Sequence, residues 1–124
     1  MIRRVSQDQF TALCDKVIGD IKKENGKPIV IVIADEAGDI IHMTHMDGAP
    51  ARSGVIASGK AYTAIRMGRT TTALGQFCQD SNTPLSAFVI PGMTTMPGGT
   101  PIYDKNGEIV GAVGVSGRCA AEDQ

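Results

Sequence analysis

Apolar residues recur at helical spacing near the start of the chain: Phe10, Leu13, Cys14, Val17, Ile18 and Ile21. Positions three and four apart share a helix face, so the pattern predicts an amphipathic helix from about Gln7 to Glu24. Ser6-Gln7-Asp8-Gln9 has the form of a capping box, Ser6 accepting from the third amide while Gln9 reaches back. Lys22 and Lys23 suit the negative end of the helix dipole, and Asn25-Gly26 stops the helix. The period then changes. Pro28 to Asp35 is apolar at both parities, as in a central strand buried on both faces. Asp35 to Asp39 makes a turn and Ile40 to Met46 runs back. At a period of two, Ile41, Met43, His45 and Asp47 share one side, and Ile40, His42, Thr44 and Met46 the other. The two histidines then face opposite ways and form no simple paired metal site.

A second helix, about Ser53 to Met67, is rich in small residues. Ala57, Ser58, Gly59, Ala61 and Ala64 allow it to pack closely on a sheet. A third starts after Thr71, with Thr70-Thr71-Thr72 as its cap, carries Leu74, Phe77 and Cys78, and ends at Ser81 to Pro84. Ala87 to Ile90 reads as a short strand, and Pro91 to Thr100 as a shaped loop. Ile102-Tyr103 starts a strand, Asp104-Lys105-Asn106-Gly107 is a hairpin signal, and Glu108 to Ser116 returns. Gly111, Gly114 and Gly117 interrupt this last segment, which points to close approach by a helix, a ligand or another backbone. Helix-on-sheet packing is the more frequent cause. The predicted order is α-β-β-α-α-β-β-β, an α+β architecture with a largely antiparallel sheet, in one domain spanning residues 1–124.

Composition narrows the functions. The net charge is -1, from 12 basic and 13 acidic residues with no run of either sign, so nucleic acid and anionic membrane are not favoured partners. No Trp, two Tyr and three Phe also argue against a base-stacking platform. Met1 to Val5 lacks a signal-peptide core, and the apolar run Ile29 to Ala34 is too short to span a bilayer. Three widely spaced cysteines, Cys14, Cys78 and Cys119, read as reduced thiols of a cytoplasmic protein, with Cys14 and Cys78 buried. There is no dinucleotide or phosphate-loop glycine motif and no His-Glu-x-x-His, which leaves a nucleotide enzyme or zinc hydrolase unsupported.

Four segments follow one another in a specific order: His45-Met46-Asp47-Gly48-Ala49, Lys60-Ala61-Tyr62-Thr63-Ala64, Pro97-Gly98-Gly99-Thr100-Pro101-Ile102, and Gly107 to Gly117. Each is weak alone. Together they resemble the GlcG/HbpS family, which includes haem-binding proteins and the C-terminal domain of PduO-type proteins. The resemblance covers nearly the whole chain. It implies a profilin-like fold, with an antiparallel sheet of about five strands flanked by helices, commonly assembled as homo-oligomers. It also implies haem as a cofactor. Two departures stand out: His45 occupies a position where the family usually has arginine, and the chain stops at Gln124 where the family usually continues into a last helix.

Candidate site residues follow. Lys60, on a face of small residues, must find a partner for its charge or lose the charge; Asp47 is a plausible partner, and a lysine with its head in water is the alternative. This pair is the catalytic candidate, for proton transfer in a small lyase or isomerase. His45 is a candidate ligand for haem iron, and His42 a weaker one; a histidine satisfied by a neighbour is the blander reading. Met93 and Met96 line a haem or corrinoid pocket or pack on their own domain. Arg52 and Arg66 hold a carboxylate or propionate, or are merely exposed. Gly98 and Gly99 form an anion-binding nest or only a turn. Thr63 joins the ligand-binding set from the matched Lys60 to Ala64 segment. The expectation is a binding protein for haem, a related tetrapyrrole or a small carboxylated ligand, with the Lys60 enzyme and a structural or partner-binding module as alternatives. The glycine-rich last strand, with Ile109, Val113 and Val115 expected on one face and Val110 and Ala112 on the other, also predicts self-association.

Overall fold

The computed structural model describes residues 5–117. The elements are α1 (Gln7–Lys23), β1 (Val30–Ala34), β2 (Ile40–His45), α2 (Arg52–Met67), α3 (Thr71–Asp80), a 3-10 helix (Leu85–Phe88), β3 (Gly99–Tyr103) and β4 (Ile109–Ser116). The four strands form one antiparallel sheet in the order β2-β1-β4-β3, two hairpins joined through β1 and β4. This is the expected α+β class. Cys119 and the expected departure from the family at the C-terminal end lie outside the described residues, as do Met1 to Arg4.

The capping box forms as the sequence predicts: Gln9 N donates to Ser6 Oγ (3.1 Å) and Ser6 N to Gln9 Oε1 (2.8 Å). β1 is buried along its whole length. Ile29, Ile31 and Ile33 pack with Phe10, Cys14 and Ile21 on the α1 side. Val30, Val32 and Ala34 pack with Ala57 and Ala61 of α2 on the other. Each such aliphatic side chain contributes about 1.5–3 kcal/mol on burial, so this strand of both parities ties the two layers together. Cys14 is buried, as expected, and burial pushes its thiol pKa up despite the Thr44 hydroxyl, with Asp15 adding to the rise. Cys78 is only half-buried, because the α3 face that carries it lies partly open.

Three expectations need correction. First, the fifth strand does not form. Ala87 N donates to Pro84 O and Val89 N to Ser86 O, so local turns take the backbone groups that a ladder would use. Second, the β1–β2 hairpin contains a bulge. Val32 and Ile33 pair with Met43 and His42, but Ala34 pairs with Ile40, leaving Ile41 as the extra residue. Ile41 joins the α1-side core, while Ile40 turns to the α2 side beside Val55 and Tyr62. Third, Ile102 pairs with Gly111 and Tyr103 with Ile109, leaving Val110 extra. Val113 and Val115 pack on the α1 side, whereas Ile109 reaches the C-cap of α2: a Cβ on Gly68 would lie 3.5 Å from Ile109 Cδ1. The predicted single face of Ile109, Val113 and Val115 is therefore split.

The glycines of β4 answer to packing. A Cβ on Gly114 would overlap the Ala57 carbonyl oxygen, one on Gly111 would lie 2.6 Å from the Ala34 carbonyl oxygen, and one on Gly117 2.6 Å from that of Pro28.

Candidate functional site

The loop after the 3-10 helix is fixed to both helices of the α2 side by threonine hydroxyls. Thr63 is fully buried in α2; its Oγ1 donates to Gly59 O (2.7 Å) and accepts from Thr94 N (2.9 Å). Thr71, the first residue of α3, accepts from Gly99 N (3.0 Å). Gly75 of α3 gives the loop room: a Cβ there would meet Thr95 Cβ at 3.3 Å. Held at these points, the loop projects Val89, which is 84% exposed and has φ +58°. Left-handed backbone at a β-branched residue costs about 1–2 kcal/mol.

Two clefts meet at Pro91 and Gly92. One, of about 460 Å³, lies within the loop itself and is walled by Leu85, Val89, Ile90 and Met93. The other, of about 360 Å³, lies between β2 and α2 and is walled by Ile40, Val55, Ser58 and Tyr62. Both volumes fall in the range of small-molecule sites, and both linings are mainly apolar, as such sites are. Ile40 and Val55 are 48% and 79% exposed, which is costly apolar surface to leave in water without an occupant.

The residues named from the sequence do not all converge there. Met93 lines the loop cleft. Met96 is exposed on the same loop, its amide donating to Thr94 Oγ1 (3.2 Å). Thr63 is an anchor beneath the loop and not part of either lining. Lys60 is 1% exposed and also lines neither cleft; its Nζ donates to Val115 O (2.7 Å). Asp47 is exposed in the turn after β2, and Arg52 is exposed at the start of α2. His45 is exposed near the end of β2, Nε2 sitting 3.0 Å from Ala49 O. His42 stacks on Phe10 (centroids 4.7 Å apart) with Nε2 3.4 Å from Val5 O, on the α1 side. Gly98 and Gly99 are buried; the Gly99 amide is taken by Thr71 and Gly98 O accepts from Val115 N (3.0 Å). Arg66 is exposed and places Cζ 5.2 Å from the centroid of the Tyr62 ring. Among the described residues no three His, Cys, Asp or Glu side chains gather as a metal site.

Sequence reasoning overlooked Tyr62, which stands on the wall of the second cleft. The available signal was its size: it is the one aromatic residue in the small-residue segment from Ala57 to Ala64.

Comparison with known proteins places the chain. A family model described as haem degrading protein HbpS-like matches residues 5–124. The protein GlcG of Escherichia coli (strain K12) is 33% identical over 95 residues, which cover 76% of this chain and 68% of GlcG. The crystal structure of Klebsiella pneumoniae protein ORFY superposes with a TM-score of 0.87 at 22% identity, covering 100% of this chain and 86% of that one. A PduOC:heme complex superposes with a TM-score of 0.85 at 24% identity, over 97% of this chain and 87% of that one. At these identities the two structures speak for the fold, while the family model spans nearly the whole sequence. The chain belongs to the HbpS-like family.

Proposed function

We propose that this protein binds a flat, largely apolar small molecule, haem or a related tetrapyrrole, across the two clefts that meet at Pro91 and Gly92. The observation that carries the reading is the shared wall: two mainly apolar depressions adjoin, and Pro91 and Gly92 belong to both. The family model's description and the haem-bound structural neighbour support the same class of ligand.

The residues present fit such a group. Leu85, Val89 and Ile90 offer faces for an apolar macrocycle, and the Met93 thioether is a soft donor on the same wall. Haem, when bound, supplies iron redox chemistry; the chain's residues hold the ring and exclude water from it. The cleft reading does not use His45 as the iron ligand. His45 lies five residues along β2 from Ile40, about 17 Å away at strand rise. A second reading keeps His45 as an iron ligand at a different place, because the contact of Nε2 with Ala49 O orients the ring and leaves Nδ1 for a metal.

Binding is favoured over proton transfer by Lys60 and Asp47, since the Lys60 amine is enclosed and held on a backbone carbonyl while Asp47 faces solvent. Haem titration followed in the Soret band tests the choice. The cleft reading expects a Soret shift that weakens in Met93→Leu and survives His45→Ala. Loss of the shift in His45→Ala alone supports the second reading, and no shift in the native protein rejects haem.

A further inference from the structure

We infer that Tyr62 and Arg66 form a carboxylate-recognising end of the β2–α2 cleft, so that the site selects flat acids over their neutral counterparts. This rests on the cleft-binding reading above and adds to it the polar group that the ligand must carry.

Tyr62 is gripped at both edges of its ring. A Cβ on Gly38 would lie 3.1 Å from Cδ1, and one on Gly92 3.8 Å from Cε2. Both glycines have positive φ, +91° and +85°, so the two turns approach the ring with no side chain between. Arg66 stands four residues on, one helical turn along α2, with its guanidinium 5.2 Å from the ring centroid. Arg66 is not part of the lining, but its Nε would lie 3.7 Å from a Cβ on Gly38, which is, so the guanidinium stands beside the cleft. Among the described residues neither the Tyr62 hydroxyl nor the Arg66 guanidinium makes a hydrogen bond or ion pair. The other hydroxyl on the wall is already engaged: Ser58 Oγ donates to Gly54 O (2.7 Å). The cleft therefore has apolar sides, Ile40, Val55 and Pro91, with Tyr62 on its wall and Arg66 next to that wall beside Gly38.

That pair matches a carboxylate. A guanidinium presents paired N–H donors to two carboxylate oxygens, and a phenol O–H adds a third donor. Glu36 and Asp39 are exposed in the Gly38 turn and lower the positive potential there. Selectivity must then come from contact with the donors themselves, and because Arg66 is exposed it should shrink as salt rises.

The test uses the full chain and two matched pairs of fluorescent probes: iron-free protoporphyrin IX with its dimethyl ester, and 2-naphthoate with 2-naphthamide. The chain has no Trp, which keeps the protein background low. In the native protein each acid should bind about tenfold tighter than its neutral partner, as one or two charge-assisted hydrogen bonds imply. Arg66→Gln should erase that preference. Tyr62→Phe should weaken the acids about threefold and leave the neutral probes unchanged. Arg69→Gln, which removes a similar charge near Phe77, should change nothing. Equal binding of acid and neutral probe, or a preference that survives Arg66→Gln, overturns the inference. A naphthoate preference without porphyrin binding upholds it and rejects the tetrapyrrole reading. Porphyrin binding with no acid preference does the reverse, and failure of all four probes rejects both.

Discussion

Gly99 and Gly114 sit directly opposite one another across β3 and β4, and the backbone of α2 rests on both. A Cβ on Gly114 would overlap Ala57 O and lie 2.8 Å from Ala61 N; one on Gly99 would overlap Lys60 O. The obstructing atoms are helix backbone, which cannot move aside as a side chain can. Gly114→Ala should therefore destabilise the fold by about 2 kcal/mol or more, the scale of an overpacked core. Urea unfolding measures it. An unchanged midpoint would mean that α2 can lift off the sheet at little cost.

This close seating also explains how a lysine is enclosed. α2 lies near enough to β4 for Lys60 Nζ to reach Val115 O at the place where Val115 N pairs with Gly98. Lys60→Met keeps the apolar stem and removes the donor. It should cost about 1–3 kcal/mol, because the Val115 carbonyl loses that hydrogen bond away from water. Thermal unfolding with no loss of stability would show that water replaces the amine.

Much of this architecture was legible in the residues. The two hairpin turns use one device. Asp35 Oδ1 accepts from Ala37 N and Asp39 N, and Asp104 Oδ1 accepts from Asn106 N and Glu108 N. A glycine at positive φ completes each turn, Gly38 and Gly107. Asp and Gly at these spacings announce themselves. The bulges at Ile41 and Val110 do not, since each extra residue is an ordinary β-former and only pairing across the sheet reveals it. A period of two carried through a bulge puts Ile40 and Ile109 on the wrong face. The apparent strand at Ala87 to Ile90 failed because four apolar residues are too few to separate strand from turn. The clefts escaped notice for a related reason: their walls come from β2, α2 and the loop, and Tyr62 gains meaning only when Gly38 and Gly92 close on it.

The buried thiol gives a pH prediction. Burial raises the pKa of Cys14 in the folded state, so the unfolded chain releases this proton first as pH rises. The contribution to stability is whole below the unfolded pKa, about 8.5, and is lost as pH climbs through the raised folded value. Stability should fall more steeply above about pH 8.5 in the native protein than in Cys14→Ala. With Cys78→Ser and Cys119→Ser in place, Cys14 should also react slowly with a thiol reagent until the protein is unfolded. Fast labelling of the folded variant would contradict its enclosure.

Three exposed apolar side chains line the clefts: Ile40, Val55 and Val89. Burying them against a second copy would close the open side of the loop cleft, and closed symmetric oligomers are the usual outcome of such contacts. Sedimentation velocity at micromolar concentration should show a dimer or larger. A single species of monomer mass would count against self-association. In that case the apolar rim is left for the ligand alone.

The cleft reading is tested most directly by titrating haem, followed in the Soret band, into the native chain, into Val55→Glu and into His45→Ala. Val55 is 79% exposed, so the substitution should spare the fold, yet it sets a charge on the apolar wall of the β2–α2 cleft. Val55→Glu should weaken binding about tenfold or more, the cost of a charge left against an apolar ligand, while His45→Ala should leave it unchanged. Native affinity in Val55→Glu, with binding lost in His45→Ala, would contradict the cleft reading.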